Sequence, residues 1–176
     1  SSDTLTIDIR LYDSISILIS QNETICPEDP AVKNVTATGG YQTYNYSWTE
    51  NGAAAVFSSP RINVNPSIQT EYCVTVTDQC ESNPKSLCSD IYMHPVPVPT
   101  FTSEIIENCE PDAEVAFTVT TDDALFNKAK VTLGGNIFDL LNDPLNPSSK
   151  SDTAYISSAG MYDFYLSVTS NNGCES

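Results

Sequence analysis

The chain is written largely in alternation. Leu5, Ile7, Ile9 and Leu11 alternate with polar residues, and Ile15, Ile17 and Ile19 repeat the pattern. Ile62 with Val64, and Tyr72 with Val74 and Val76, continue it. In the second half the same holds for Val115, Phe117 and Val119, and for Tyr162, Phe164, Leu166 and Val168. Successive side chains of a strand point to opposite faces, so a period of two predicts strands with one buried face. Turn signals separate these runs: Gly39-Gly40, Asn51-Gly52, Asn65-Pro66, Gly134-Gly135, Asn146-Pro147 and Asn172-Gly173. Only Ile137–Leu141 has weak helical character, and it reads as a strand or a loop. Many short strands with frequent turns predict an all-β fold of the sandwich type.

The pattern also repeats. Ile25-Cys26-Pro27-Glu28 aligns with Asn108-Cys109-Glu110-Pro111, and the late strand Tyr72–Cys80 aligns with Phe164–Ser170 followed by Cys174. A period of roughly 80 to 90 residues is the size of one immunoglobulin-like sandwich. Two tandem domains are therefore expected, residues 13–94 and 95–176. Between them, His94-Pro95-Val96-Pro97-Val98-Pro99 reads as a linker and the start of an edge strand, because alternating prolines remove backbone donors and favour an extended path. Ile91-Tyr92-Met93 looks like the last strand of the first domain. By the same register, residues 1–12, with Thr4–Leu11 at their centre, read as the last strand of a preceding repeat. The alternative is that Thr4–Leu11 pairs within the chain and caps an edge. The second domain reaches Cys174-Glu175-Ser176 before a last strand of its own, which makes the chain read as a segment of a longer array.

Six cysteines in 176 residues fit an oxidising, extracytoplasmic setting. No CxxC spacing is present, which argues against a zinc knuckle. Each repeat opens and closes with a cysteine, so Cys26–Cys80 and Cys109–Cys174 are the expected bridges. Cys73 and Cys88 flank a hairpin, and a cross-strand surface bridge between them completes the set.

Seven basic residues stand against 23 acidic ones, a formal charge of −16. Such a chain is repelled by phosphates, so nucleic acid is not an expected partner. No apolar run approaches the roughly 20 residues that span a bilayer, so no membrane insertion is expected either. The charge is distributed: 3 basic and 9 acidic residues in 13–94, and 3 and 12 in 95–176. An acidic surface keeps an extended protein soluble. No cofactor is expected beyond calcium, for which Asp112, Asp122 and Asp123 are the candidate ligands, since calcium takes several oxygens from loops. No DxDxDG loop is present. The single histidine, His94, sits in the linker, and there is no GxSxG elbow. Paired carboxylates occur only in expected turns, so the chain reads as no enzyme. Tyr44, Tyr46 and Trp48 share one face of a strand and read as core rather than as a sugar platform. Tyr155 and Tyr162 read as strand packing, and Tyr165 points outward.

At Thr38-Gly39-Gly40-Tyr41, Tyr44-Asn45-Tyr46-Ser47-Trp48, Asn51-Gly52 and Thr70–Asp78, the first repeat resembles the polycystic-kidney-disease-like (PKD-like) and related immunoglobulin-like repeats of secreted Bacteroidetes surface proteins. The second repeat resembles them at Ser158–Tyr162 and Leu166–Cys174. It departs in lacking a Trp after Val131-Thr132-Leu133 and the usual Gly-Asp-Gly turn. The resemblance implies a non-catalytic repeat segment of a long cell-surface adhesin of the gliding-motility type, exported by type IX secretion. Its implied partners are neighbouring repeats of the same chain and surface polysaccharide or other surface proteins. The alternatives are a carbohydrate- or protein-binding module, or spacer domains of a secreted hydrolase. The lineage also implies O-glycosylation at Asp-(Ser/Thr)-apolar triplets, which would fall on Thr4, Ser14 and Thr153.

Overall fold

The computed structural model describes residues 5–41, 43–80, 83–107, 112–121, 126–133, 136–142, 149–158 and 160–176. All of its regular structure is β. The chain divides into two compact units, Ser1–Met93 and His94–Ser176.

In the first unit, β1 (Ser16–Ile19), β3 (Ala31–Thr38) and β6 (Arg61–Val64) form one antiparallel sheet in the order β1-β3-β6. The second sheet has the order β2-β8-β7-β4-β5, built from β2 (Glu23–Ile25), β8 (Lys85–Met93), β7 (Thr70–Asp78), β4 (Tyr44–Glu50) and β5 (Ala53–Ala54). All its pairings are antiparallel except β2 with β8, where Glu23 faces Ile91 and Ile25 faces Met93 in parallel register. The alternating residues of both sheets meet in one core. Ile17, Val35, Ile62 and Val64 come from the first sheet; Trp48, Tyr72, Val74, Val76 and Ile91 come from the second. Each fully buried Val or Ile contributes about 1.5–3 kcal/mol through the apolar surface it removes from water.

The second unit repeats the plan. One sheet has the order β13-β14-β10-β9, from β9 (Pro99–Glu107), β10 (Ala113–Thr121), β13 (Leu141–Asn142) and β14 (Ser149–Ile156). The other has the order β12-β11-β15, from β11 (Phe126–Leu133), β12 (Asn136–Asp139) and β15 (Phe164–Ser170). Val115, Phe117, Val119 and Ala154 face Ala129, Val131, Leu133 and Val168 in the core. The segment with weak helical character thus folds as strand at β12 and β13. Pro99 opens β9, which is an edge strand, the place where a missing N–H costs no ladder bond.

Two sheets with a shared core make each unit a β-sandwich. The strand orders correspond: β1, β3 and β6 to β9, β10 and β14, and β7, β4 and β5 to β15, β11 and β12. One alternating run takes no part. Leu5, Ile7, Ile9 and Leu11 belong to no strand and are 71–91% exposed, the residue range of the strand expected at Thr4–Leu11. Beyond them, Tyr12 meets Tyr41 edge-on, at 5.2 Å, and the Gly40 N–H donates to the Asp13 carbonyl.

Candidate functional site

The cysteines are the first candidates. Cys73 and Cys88 stand directly opposite each other across β7 and β8 and are joined in a disulfide with a Cα–Cα distance of 4.0 Å. Cys80 carries a free, exposed thiol, so the expected Cys26–Cys80 bridge is not formed. The reason lies in the parallel pairing of β2. It sets Ile25 against Met93, at the far end of β8 from the turn that carries Cys80. Eight residue steps at about 3.3 Å separate Lys85 from Met93, far beyond the roughly 7 Å between Cα atoms that a disulfide tolerates. Cys26 and Cys174 are each in a disulfide. Cys109, the expected partner of Cys174, lies outside the described residues.

A buried cation forms the second cluster. Lys33 is inward-facing on β3 between Ala31 and Val35 and is fully buried. Its Nζ lies 3.0 Å from Glu23 Oε1 and donates to Ser89 Oγ (3.0 Å) and to the Gln21 and Asp90 carbonyls (3.3 Å each). Ser89 Oγ donates in turn to the Gln21 carbonyl, and Asn22 brackets Asp90 with two further bonds. Nothing in the alternating apolar pattern named Lys33. Its parity with Ala31, Val35 and Ala37 was the available signal.

Asp78, at the end of β7, is the third. It is buried and accepts from the backbone N–H groups of Tyr41 (2.9 Å) and Cys80 (3.1 Å). Gly39 and Gly40 adopt positive φ beside it, and the Tyr44 hydroxyl donates to the Gly39 carbonyl. Tyr72 is buried with its hydroxyl 3.4 Å from Glu50 Oε1. Burial, then the charge of Glu50 and the bond to it, push the Tyr72 hydroxyl up to about 12. Burial and the neighbouring Tyr44 raise Tyr46 above the usual tyrosine value, and burial lowers Lys150 below the usual lysine value.

Trp48 is buried, with its indole N–H donating to the Ser59 carbonyl at 2.9 Å; Tyr44 and Tyr46 pack against the same core. Tyr165 points outward, and so does Tyr155, contrary to its expected packing role. They lie on outer faces of different sheets and form no common platform. A shallow polar groove at the end of β15 is lined by Lys130, Ser167, Thr169, Asn171 and Glu175.

Asp112 is exposed, while Asp122 and Asp123 lie outside the described residues. Among the described residues, one group of three metal-ligand side chains converges: Glu71, Cys73 and Cys88. Its two sulfurs are bonded to each other, so it offers no thiolate to a metal. Ser14 is exposed and Thr153 half-buried, its N–H bonded to Asp152 Oδ1; Thr4 lies outside the described residues. His94 is half-buried where the second unit begins. No helix among the described residues is long and apolar enough to cross a membrane.

Strand order and shared cores define the class: all-β, with immunoglobulin-like β-sandwich units and disulfides. Among solved structures, the chain is similar to fibronectin(III)-like modules of Clostridium thermocellum CbhA, at 6% identity and a TM-score of 0.43, over 92% of this chain and 89% of that one. It is also similar to titin domains z1z2 solved in complex with telethonin, at 13% identity and a TM-score of 0.35, over 91% of each chain. Against Parabacteroides merdae β-glucuronidase the TM-score is 0.36 at 9% identity, over 93% of this chain and 24% of that one. No protein-family model and no curated protein matches the chain, so the PKD-like resemblance gains no support there.

Proposed function

We propose that this chain is a non-catalytic structural segment of a long secreted surface protein, of the adhesin type that serves gliding or attachment. The observation that carries this reading is the repetition of one strand order in two units. Repetition of a sandwich builds length, whereas a catalytic site needs convergent groups. A covalent cross-link between β7 and β8 and a buried ion pair between β2 and β3 suit a module that bears load. The acidic surface favours an extended, soluble array through repulsion, within a Debye length of about 8 Å at physiological salt. Neighbouring repeats are its partners, with surface polysaccharide or other surface proteins bound elsewhere on the parent chain.

The test is the open reading frame that encodes the chain, together with binding by the 176-residue protein. The reading expects many further sandwich repeats in that frame and no binding on a glycan array. A frame holding a hydrolase domain makes these units spacers of an enzyme instead. Tight binding to a defined glycan, lost on replacing Tyr155 or Tyr165, makes the chain a binding module.

A further inference from the structure

The outer face of the β7–β8 hairpin carries chemistry that the core does not need. On β7, Tyr72, Val74 and Val76 are buried, so Glu71, Cys73 and Thr75 face outward. On β8, Cys88 stands directly opposite Cys73, with the Cα atoms 4.0 Å apart. Glu71 shares this face two positions before Cys73. Its carboxylate oxygen and the two sulfurs all lie within 4.8 Å of one another. Glu71 and Cys88 are exposed, and Cys73 is half-buried.

The backbone holds these positions without help from the bridge. Cys73 sits inside the sheet, paired with Thr49 of β4 on one side and with Cys88 on the other. Glu71 is gripped by Asn51. The Glu71 N–H donates to Asn51 Oδ1, and the Asn51 N–H donates to the Glu71 carbonyl, 2.9 Å each. Opening the S–S bond therefore leaves two thiols and a carboxylate on one side of the sheet, at ligand spacing.

That spacing suits a metal. Tetrahedral zinc, with Zn–S bonds of about 2.3 Å, holds two thiolates about 3.7 Å apart. Side chains that rise side by side from Cα atoms 4.0 Å apart match this. Two sulfurs select a zinc-type cation over calcium or magnesium, which take oxygen ligands. The net charge of −16 also draws divalent cations to the surface.

We propose that reduction of Cys73–Cys88 opens a site for a thiophilic divalent cation of the zinc type, held by both thiolates and the Glu71 carboxylate. The reductant is a low-molecular-weight thiol. Its thiolate attacks the exposed Cys88 sulfur, the Cys73–Cys88 bond breaks and Cys73 leaves as thiolate. A second thiol attacks the mixed disulfide and releases Cys88. Two electrons and two protons pass to the chain, and the reductant departs as its own disulfide. The cation then displaces the two thiol protons, and water fills the fourth position. The bridge is thus the closed state of the site. This goes beyond the proposed function and does not depend on it.

The test uses the full chain with Cys80→Ser, which removes the free thiol, and Co2+ as the probe under anaerobic conditions. After reduction and removal of the reductant, Co2+ is expected to give a thiolate-to-cobalt band and the visible bands of a tetrahedral ion. The oxidised chain should give neither. Glu71→Gln should weaken cobalt binding about tenfold or more, since losing a ligand costs at least as much as losing an outer partner. The comparator is Cys73→Ser/Cys88→Ser in the same background, in which every other cysteine is unchanged. An equal band in that comparator overturns the proposal. So does an absent band in the reduced chain, an unchanged affinity in Glu71→Gln, or loss of the native circular dichroism spectrum on reduction.

Discussion

Lys33 Nζ sits 3.0 Å from Glu23 Oε1 with the lysine fully buried and the glutamate reaching water. The pair ties β3 of one sheet to β2 of the other, and the bond to Ser89 brings in β8. Truncating a buried charge strands its partners, so Lys33→Ala is expected to destabilise the first unit by about 3 kcal/mol. Lys33→Met, which keeps the volume, should cost less. Glu23→Gln should cost about 1 kcal/mol, since Glu23 is partly solvated. Trp48, the single tryptophan, lies in the first unit, so its fluorescence in urea reports these differences for that unit alone.

Gly39 has φ +75°, and a Cβ there would meet the Ser14 carbonyl oxygen at 2.3 Å. Gly52, at φ +80°, would place its Cβ in open space. The left-handed conformation alone costs about 1–2 kcal/mol for an L-residue. Gly39→Ala adds a clash with backbone and is expected to cost about 3–4 kcal/mol. Gly52→Ala should stay near the conformational cost. Equal losses in paired urea titrations would contradict the close approach of residues 14 and 39.

Tyr72 titrates near 12 in the folded chain, against an ordinary value of 10.0. The unfolded chain therefore loses its proton first. The contribution of Tyr72 is full below pH 10 and falls away between pH 10 and 12, by about 2–3 kcal/mol. Tyr72→Phe is expected to flatten the fall of stability with pH across that window, measured by Trp48 fluorescence in urea.

Cys73 and Cys88 are 15 residues apart in sequence, and a loop of that size gives about 3 kcal/mol in the chain-entropy account. The Cys73→Ala/Cys88→Ala double variant should lower the stability of the first unit by about that amount. Because the bridge only reinforces an existing antiparallel register, the variant should keep the native circular dichroism spectrum.

Cys80 is expected to react with iodoacetamide in the native, unreduced protein, and peptide mapping should find the label there. Absence of label at Cys80 without reduction would restore a bridge at that position.

The strands that alternation places most clearly, β7 through Tyr72, Val74 and Val76 and β10 through Val115, Phe117 and Val119, form as read, because each buries one face. The Cys73–Cys88 contact follows from the same parity within one hairpin. What local pattern could not carry is non-local pairing. The register of Glu23 with Ile91 joins residues far apart in the chain, and it moves Cys26 away from Cys80. Lys33 was hidden for a different reason: a lysine among apolar inward residues reads as polar until Glu23, Ser89 and two carbonyls are seen to converge on it. Leu5, Ile7, Ile9 and Leu11 have the alternation of a strand but pair with no strand among the described residues, and periodicity alone does not supply a neighbour.

The parallel seam between β2 and β8 has a mechanical meaning. The chain enters the first unit through β1, which pairs with β3 in the other sheet, then passes through β2 and leaves at the end of β8. A pull that reaches the start of β2 and the end of β8 drags these neighbouring strands past each other lengthwise. The bonds joining Glu23–Ile25 to Ile91–Met93 are then strained in shear, all together, instead of being unzipped in turn from one end. Beside that seam, the Lys33 cluster holds β2 from the opposite sheet. At that seam, resistance to shear rests on one short, three-residue strand.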